Sequence, residues 1–391
     1  MEAAMINMQM LPVLEDICYE IIGVFMRNWD ITDEVGNCTV DQDAEDAHKV
    51  CKQLGIPFHE VSFIKEYWHE VFSHMVNDYE NGLTPNPDIL CNKRIKFDAL
   101  FKHCTEKLGV DALATGHYAR STFGDELQNF SQQKGARLLR ALDTVKDQTF
   151  FLSQISQASL QHAVFPLGEF TKDVVKKIAL TAGFESLVKK KESMGICFIG
   201  KRNFQDFIDE YIDPQPGLFI HMETGEVIGE HLGIHQWTIG QRCRLPGKRT
   251  PFYIVQKNKE SQEMLVIQDC DHPALYCTSV FLGQPHWIHS TPRMLMNNKS
   301  LDCSFVFQHT KPLVPCSLNM TTNGCLIAYL AKPLRAVTPG QYGVFYKGDE
   351  CLGSARILHP GPSLYAMSNK PKDRIPISDS EIQNSQIPSD G

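Results

Sequence analysis

The stretch "IIGVFMRNWD", residues 21–30, decides the fold. Its first six residues form an apolar run of strand length, and the polar "RNWD" ends it. Next, "DAEDAHKVCKQLG" (43–55) places Ala44, Ala47, Val50, Cys51 and Leu54 on one helical face, with Gly55 as the stop. "IPFHEVSF" (56–63) reads as a second strand, and "KEYWHEVFSHMVNDYENG" (65–82) as a helix closed by Gly82. "LTPNPDIL" (83–90) reads as a loop, because two prolines two apart do not fit inside a helix. "CNKRIKFDALFKHCTEKLG" (91–109) is helical again, and "VDALATGH" (110–117) is a strand ending in a glycine turn. This alternation predicts a parallel sheet with helices on both faces, whose ligands bind beyond the carboxyl ends of the strands. "FMRNWD" (25–30) and "TGHYAR" (115–120) lie at such ends and so face one crevice. Further helices are expected near 155–183, with Gly183 as a stop.

Beyond about residue 215 the pattern changes to short alternating runs bounded by turns. "GLFIHMETGEVIGEHLG" (217–233), "FYIVQKN" (252–258), "SLDCSFVFQ" (300–308) and "GQYGVFYKGDECLGSARIL" (340–358) are examples. Two small β domains follow, divided near "DHPALY" (271–276). From about 362 the chain is polar and poor in aromatics, the composition of a disordered tail.

Composition narrows the function classes. The chain has 391 residues, 42% of them hydrophobic, enough for two or three domains with cores of their own. A formal net charge of −8 argues against a general nucleic-acid coat, but not against a local basic groove. Thirteen cysteines without any C-x-x-C spacing exclude the usual zinc ribbon and give no small disulfide framework, so a reducing compartment is expected. No apolar run approaches a membrane span, and residues 1–26 hold four acids and no Lys or Arg, so no targeting segment is visible.

Two segments bear thiol chemistry. In "TPNPDILCNKRIKF" (84–97), Asp88 and Cys91 are three apart where loop becomes helix. The positive end of the helix, with Lys93 and Arg94, lowers a thiol pKa there. Asp88 either exchanges a proton with the thiol or a bound base, or simply caps the helix. In "KKKESMGICFIGKR" (189–202), five cations against one acid surround Cys197, itself in an apolar run. That cluster either holds phosphates and acidifies Cys197, or is a solvated basic face above a buried cysteine. Taken together, the two cysteines point to chemistry in which one sulfur attacks and the other resolves, through a disulfide. "ATGHYAR" (114–120) allows close ligand approach at Gly116, with His117 and Arg120 as polar reach. In "DTVKDQTFFLSQ" (143–154), Lys146, Asp147 and Gln148 either contact a ligand or form a loop over Phe150 and Phe151. "HQWTIGQR" (235–242) and "VTPGQYG" (337–343) read as turn-and-strand architecture, with Gln341 the exception as a polar residue at a loop tip.

These motifs, in this order, resemble the tRNA-specific 2-thiouridylases over about residues 21–357. The paired NPDxxCN (86–92) and GICFIG (195–200) motifs are specific to that family, and the polar tail resembles animal mitochondrial members. The resemblance implies an ATP pyrophosphatase (PP-loop) type α/β parallel-sheet domain followed by two small β domains, the last a β-barrel. The expected boundaries are 1–210, 211–277, 278–361 and a tail at 362–391. It implies activation of the 2-carbonyl oxygen of a tRNA wobble uridine by ATP with Mg2+, with pyrophosphate release. Sulfur then reaches that carbon from a cysteine persulfide, loaded by a separate persulfide donor or relay protein. Carried over by motif, Cys197 is the persulfide carrier, Cys91 completes transfer by a disulfide with it, and Asp88 is the acid/base. Asn86, Pro87 and Asp88 hold the target base, while Met26 and Gly116 flank the nucleotide. His117, Lys146, Asp147, Gln148 and Gln341 match tRNA contacts, as do Gln308 and His309, although bacterial members carry Arg-Tyr at that pair. A monomer in the mitochondrion, without membrane attachment, is implied.

One departure stands out. The family opens with a strand and a Ser-Gly-Gly-x-Asp-Ser phosphate loop, and this sequence contains no such motif. The first strand is therefore expected to be absent, and adenylation to be deficient. Two other readings compete. A different ATP pyrophosphatase of the same sheet type would not need the Cys91–Cys197 pair, and a non-catalytic tRNA- or sulfur-carrier-binding protein would bind tRNA without consuming ATP. A purely redox protein would have no use for the long β region.

Overall fold

The structure is a computed structural model that describes residues 20–29, 39–124, 127–189, 199 and 202–369. Strand β1 (Gly23–Arg27) runs parallel to β2 (Phe58–Ser62), with Gly23 opposite Phe58 and Arg27 opposite Ser62. The helix Thr39–Leu54 connects them and buries Ala44, Ala47, Val50 and Cys51 against Phe25, Ala179 and Phe184. Gly23 is required where that helix passes, since a Cβ there would lie 2.5 Å from Cys51 Sγ. Farther along, β3 (Leu113–Ala114) runs parallel to β6 (Ala163–Val164).

The expected single parallel sheet is thus, among the described residues, two separate two-stranded sheets. Side-chain packing rather than a hydrogen-bonded ladder joins them. Ile21, just before β1, packs both on the cluster around Phe25 and on the one containing Tyr118, Leu167 and Val175, beside Ala114.

A second departure lies between the sheets. The hairpin β4 (Ala119–Ser121) and β5 (Leu138–Arg140) leaves the α/β region and extends the sheet of the last domain. Its Leu138 and Leu139 pair with Cys351 and Glu350. A segment inside the expected 1–210 unit is therefore hydrogen-bonded into the distal sheet.

Strands β7 (Gly217–His221), β8 (Val227–His231), β9 (Arg242–Cys243), β10 (Phe252–Asn258) and β11 (Glu263–Ile267) form the middle sheet. Its core contains Phe219, Phe252, Ile254, Met264 and Val266. After a short 3-10 turn at Pro273–Leu275 come β12 (Tyr276–Leu282), β13 (His286–Trp287), β14 (Leu301–Val306), β15 (Val314–Met320), β16 (Leu326–Arg335), β17 (Tyr342–Lys347) and β18 (Glu350–Pro360). The order β12-β16-β15-β14-β17-β18, with β12 also pairing β18, closes a six-stranded antiparallel barrel. Closure leaves those strands no free edge, and Phe305, Leu318, Phe345 and Ala355 fill the interior. The expected tail starts with a helical turn, Leu364–Ser368, that packs on β12; residues 370–391 lie outside the described residues.

Candidate functional site

The segment expected to carry chemistry, 84–97, begins as irregular backbone and becomes helix at Pro87, one turn before the loop was expected to end. Asn86 is the reason. Its extended backbone and side chain form the N-cap, with Oδ1 accepting from Ile89 N at 3.2 Å, and Pro87 takes the first helical position, where no N–H is needed. Asparagine, not Asp88, therefore caps this helix. Asp88 and Cys91, three apart, share the helix face one turn in.

At Cys91 the helix widens into a π-type stretch, Cys91–Leu100, before narrowing again at Phe101–Lys107. Such stretches are rare and concentrate at functional sites. The stretch is kinked within its length at Phe97 (φ −99°, ψ 15°), and the Ser159 hydroxyl donates to the Phe97 carbonyl at 2.5 Å. A second π turn, Trp68–Phe72, packs against the first. There Trp68 stacks on Trp29, ring centres 5.5 Å apart, continuing from the polar end of β1.

Cys91 itself is buried, at 7% exposure, and Asp88 is half-buried. The next residue, Asn92, donates Nδ2 to the Phe151 carbonyl at 3.3 Å. Its buried Oδ1 has no hydrogen-bond partner among the described residues. Sequence reasoning missed this acceptor, although it sits inside the NPDxxCN motif. Cys197 lies outside the described residues, as do its neighbours 190–198.

The nucleotide expectation rests on Met26 and Gly116. Met26 is half-buried in the second-last position of β1, and Gly116 is buried just after the end of β3. Next to Met26, the buried Asn28 Oδ1 is without a hydrogen-bond partner among the described residues. Arg27, by contrast, is committed to Asp41 at 2.7 Å and to Glu60. Among the described residues no cluster of three or more His, Cys, Asp or Glu could hold a metal ion.

The residues matched to tRNA contacts divide sharply. His117 is buried beside Phe97 and Phe165, with Nδ1 2.9 Å from Thr115 Oγ1. Burial, and then the Lys96 charge, hold its imidazole neutral, well below the usual range. Asp147, 7% exposed, accepts from Arg140 Nε and Ala141 N at 3.1 Å each, and from Thr149 Oγ1 at 2.9 Å. Gln148 Oε1 accepts from Tyr118 N at 2.9 Å, and its own N–H donates to the Tyr118 carbonyl at 2.8 Å. His309 Nε2 meets the Asp147 carbonyl at 2.7 Å and its ring packs on Phe151. These side chains organise one another. Lys146 is half-buried and Gln308 exposed, so the solvent-facing members of the set are few. Gln341, at the barrel turn, lies against 84–86, with Nε2 donating to the Thr84 and Pro85 carbonyls at 3.1 and 2.9 Å.

Comparison with known proteins fits this arrangement. Three family descriptions match in series: a tRNA methyl transferase HUP domain over 9–201, a tRNA methyl transferase PRC-barrel domain over 205–268 and an aminomethyltransferase beta-barrel domain over 278–357. A protein of Drosophila melanogaster called mitochondrial tRNA-specific 2-thiouridylase 1 is 51% identical, covering 88% of this chain and 89% of its own length. The Homo sapiens protein of the same name is 47% identical, covering 89% and 87%. A Bacillus pumilus tRNA-specific 2-thiouridylase, MnmA, is 42% identical, covering 88% and 90%. The domain descriptions speak of methyl transfer and the relatives' names of thiolation. The latter rest on matches along nearly the whole chain and on the cysteine motif, and they decide. The chain belongs to the tRNA-specific 2-thiouridylase family.

Proposed function

We propose that this protein transfers sulfur to the 2-position of the wobble uridine of tRNA, in mitochondria, as a monomer served by a separate persulfide donor. The observation that carries the reading is Cys91. It is a buried thiol at the start of a π-type helical stretch, one turn inside a helix that Asn86 and Pro87 begin. Irregular backbone ending in a helix N-terminus offers a place for an extruded base, with Asn86, Pro87 and Asp88 around it. Asn92 Oδ1, buried beside Cys91, is an acceptor for a base N–H.

In this reading Met26, Asn28 and Gly116 hold the adenine end of ATP. ATP and Mg2+, when bound, would supply the activation that turns the uridine 2-oxygen into a leaving group, a step expected to be poor in a sequence without the Ser-Gly-Gly-x-Asp-Ser motif. The chain's own groups do the rest. The outer sulfur of a Cys197 persulfide attacks C2, and the oxygen departs. Asp88 moves the proton that this exchange requires. The Cys91 thiolate then attacks the Cys197 sulfur, forming the Cys91–Cys197 disulfide and breaking the S–S bond to the substrate, whose sulfur stays on C2 as the thione. A two-electron thiol reductant restores both cysteines. Burial shelters the Cys91 sulfur from solvent oxidants, and a basic surround on 189–202 would favour a polyanionic substrate.

The test has two readouts. Loading with a low-molecular-weight persulfide donor, followed by peptide mass mapping, is expected to place a single extra sulfur on Cys197 without any nucleotide. Because adenylation is expected to be poor, incubation with cognate tRNA and ATP is expected to give 2-thiouridine only at a low rate, visible as retardation in a mercury-containing gel. Loading spread evenly over the other cysteines would overturn the assignment of the carrier. Among the described residues no helix is long and apolar enough to cross a membrane.

A further inference from the structure

The barrel reaches the reactive segment through one turn, Thr338–Gln341. The Thr84 N–H donates to the Pro339 carbonyl at 3.0 Å. Gln341 then uses its whole amide on the same loop. Nε2 donates to the Thr84 and Pro85 carbonyls at 3.1 and 2.9 Å, and Oε1 accepts from Asn86 Nδ2 at 3.2 Å. Asn86 is the N-cap, and its one side-chain oxygen, Oδ1, is the atom that accepts from Ile89 N. One glutamine therefore satisfies two carbonyls that precede the helix and fixes the rotamer of the residue that starts it.

Three further features show that the turn is built for this contact. Gly340 has φ +94°, and a Cβ there would lie 2.9 Å from both Thr84 N and Thr84 O and 3.0 Å from Leu83 Cβ. No other residue could let the two backbones approach so closely. The turn is itself held to β18 by Gly340 N to the Ile357 carbonyl at 2.9 Å, and Ile357 N to the Gln341 carbonyl at 2.7 Å. One residue before Ile357, Arg356 pairs with Asp78, in the helix that leads into the loop. The helix is also held from its other side. Lys93 Nζ donates to Gln154 Oε1 at 3.1 Å, and Gln154 Nε2 donates to Ser354 Oγ of the barrel at 2.8 Å. The middle domain adds Thr238, whose hydroxyl lies 3.3 Å from that of Thr84.

We propose that Gln341 and Gly340 are positioning residues: the barrel turn clamps Thr84–Asn86 and so sets the orientation of the helical turn carrying Asp88 and Cys91. Both Gln341 Nε2 hydrogens are used on the loop, as is one acceptor site of Oε1. The barrel thereby enters the chemistry through the backbone of the loop it holds. Each clamp hydrogen bond replaces water on a part-buried carbonyl or amide, so removing Gln341 leaves two carbonyls and one N–H to find new partners. The loop then samples open arrangements in which Cys91 is exposed.

This inference rests on the reading of Cys91 as a reacting thiol, and its test does not. Alkylation with iodoacetamide, followed residue by residue by mass spectrometry, is compared in the full chain, Gln341→Leu and Gly340→Ala, alongside tRNA affinity. The two variants loosen one junction by different means, lost hydrogen bonds and backbone strain, so one remains informative if the other does not fold. Cys91 is expected to react about fivefold to tenfold faster in each, with the buried Cys104 and Cys243 unchanged and tRNA affinity of Gln341→Leu within about twofold. An unchanged Cys91 rate overturns the clamp, and a tenfold loss of tRNA affinity with it would make Gln341 a direct tRNA contact. All three cysteines rising together also overturns it, as general loosening. Failure of the Cys91 assignment would show separately, as thiolation that survives Cys91→Ser.

Discussion

Two loops of this molecule, 83–91 and 142–149, were both expected from the resemblance to contact substrate, and the structure treats them in opposite ways. The first is held from outside. Its carbonyls and its N-cap are bound by the barrel and by Thr238, next to the helical turn that carries Asp88 and Cys91, the side chains proposed for chemistry. The second is held from within. Asp147 gathers Arg140, Ala141 and Thr149, Gln148 clasps Tyr118, and His309 closes over the Asp147 carbonyl. A polar motif can therefore serve a loop by being displayed or by being consumed. The same residue types do both, and what separates them is whether the hydrogen bonds run to the barrel or stay within the loop and its neighbours.

Substitutions in the two loops should accordingly fail in different assays. The largest effect is expected from Cys91→Ser, which removes a reacting thiol while changing one buried atom. Thiolation of tRNA should fall by about a thousandfold or more, with stability changed by no more than about 1 kcal/mol. Its measurement is 2-thiouridine yield beside chemical denaturation of the same preparation. Asp147→Ala should do the reverse. It strands Arg140 and Thr149 in a buried network, and a cost of about 3–5 kcal/mol is expected from removing one partner of a buried pair. If denaturation midpoints hardly move while tRNA affinity collapses, the second loop is displayed after all and the contrast is broken.

The pH dependence sharpens the same contrast. The folded protein keeps His117 neutral through burial, and then through Lys96. The unfolded chain binds that proton near the ordinary value of about 6.5. The stability from this group is thus complete above that pH and is lost progressively as pH falls below it, because the unfolded state then binds more protons. Denaturation midpoints followed from about pH 7.5 to 5 should decline less steeply in His117→Gln than in the parent. His231 and His286, also lowered by burial, leave a residual slope in the variant. The smallest effect is expected at Lys146, half-buried beside the exposed Val145. Lys146→Ala should change stability by about 0.5 kcal/mol or less. If it meets phosphate, it should reduce the salt dependence of tRNA binding by about one unit of slope, read from affinity against salt concentration.

How far the sequence could be read follows from the range of each interaction. Periodicity is local, and so the helix with Ala44, Ala47, Val50 and Cys51 inward, the strand Phe58–Ser62 and the stops at Gly55, Gly82 and Gly183 match the pattern. The start of the helix at Pro87 was one turn earlier than the prolines implied. Pro85 stays outside it, and Pro87 occupies the one helical position that suits proline. Long-range pairing left no local trace. Nothing in "ARS" or "LLR" announces that Ala119–Ser121 and Leu138–Arg140 will lie beside β18, more than two hundred residues away. In the site, motif matching nominated Cys91, Asp88 and Gln341, but it could not distinguish a side chain that faces a ligand from one that faces its own loop. Asn28 and Asn92 escaped because what marks them is an acceptor without a partner, which only coordinates reveal.

The most direct test is to trap the resolving step. After persulfide loading and a single turnover with cognate tRNA and ATP, the protein is quenched in acid and its linked peptides are mapped. A disulfide joining the Cys91 peptide to the Cys197 peptide, dependent on both tRNA and loading, is the predicted result. Thiolated tRNA formed with Cys91 and Cys197 never linked, or with Cys197 linked to another cysteine, would contradict it.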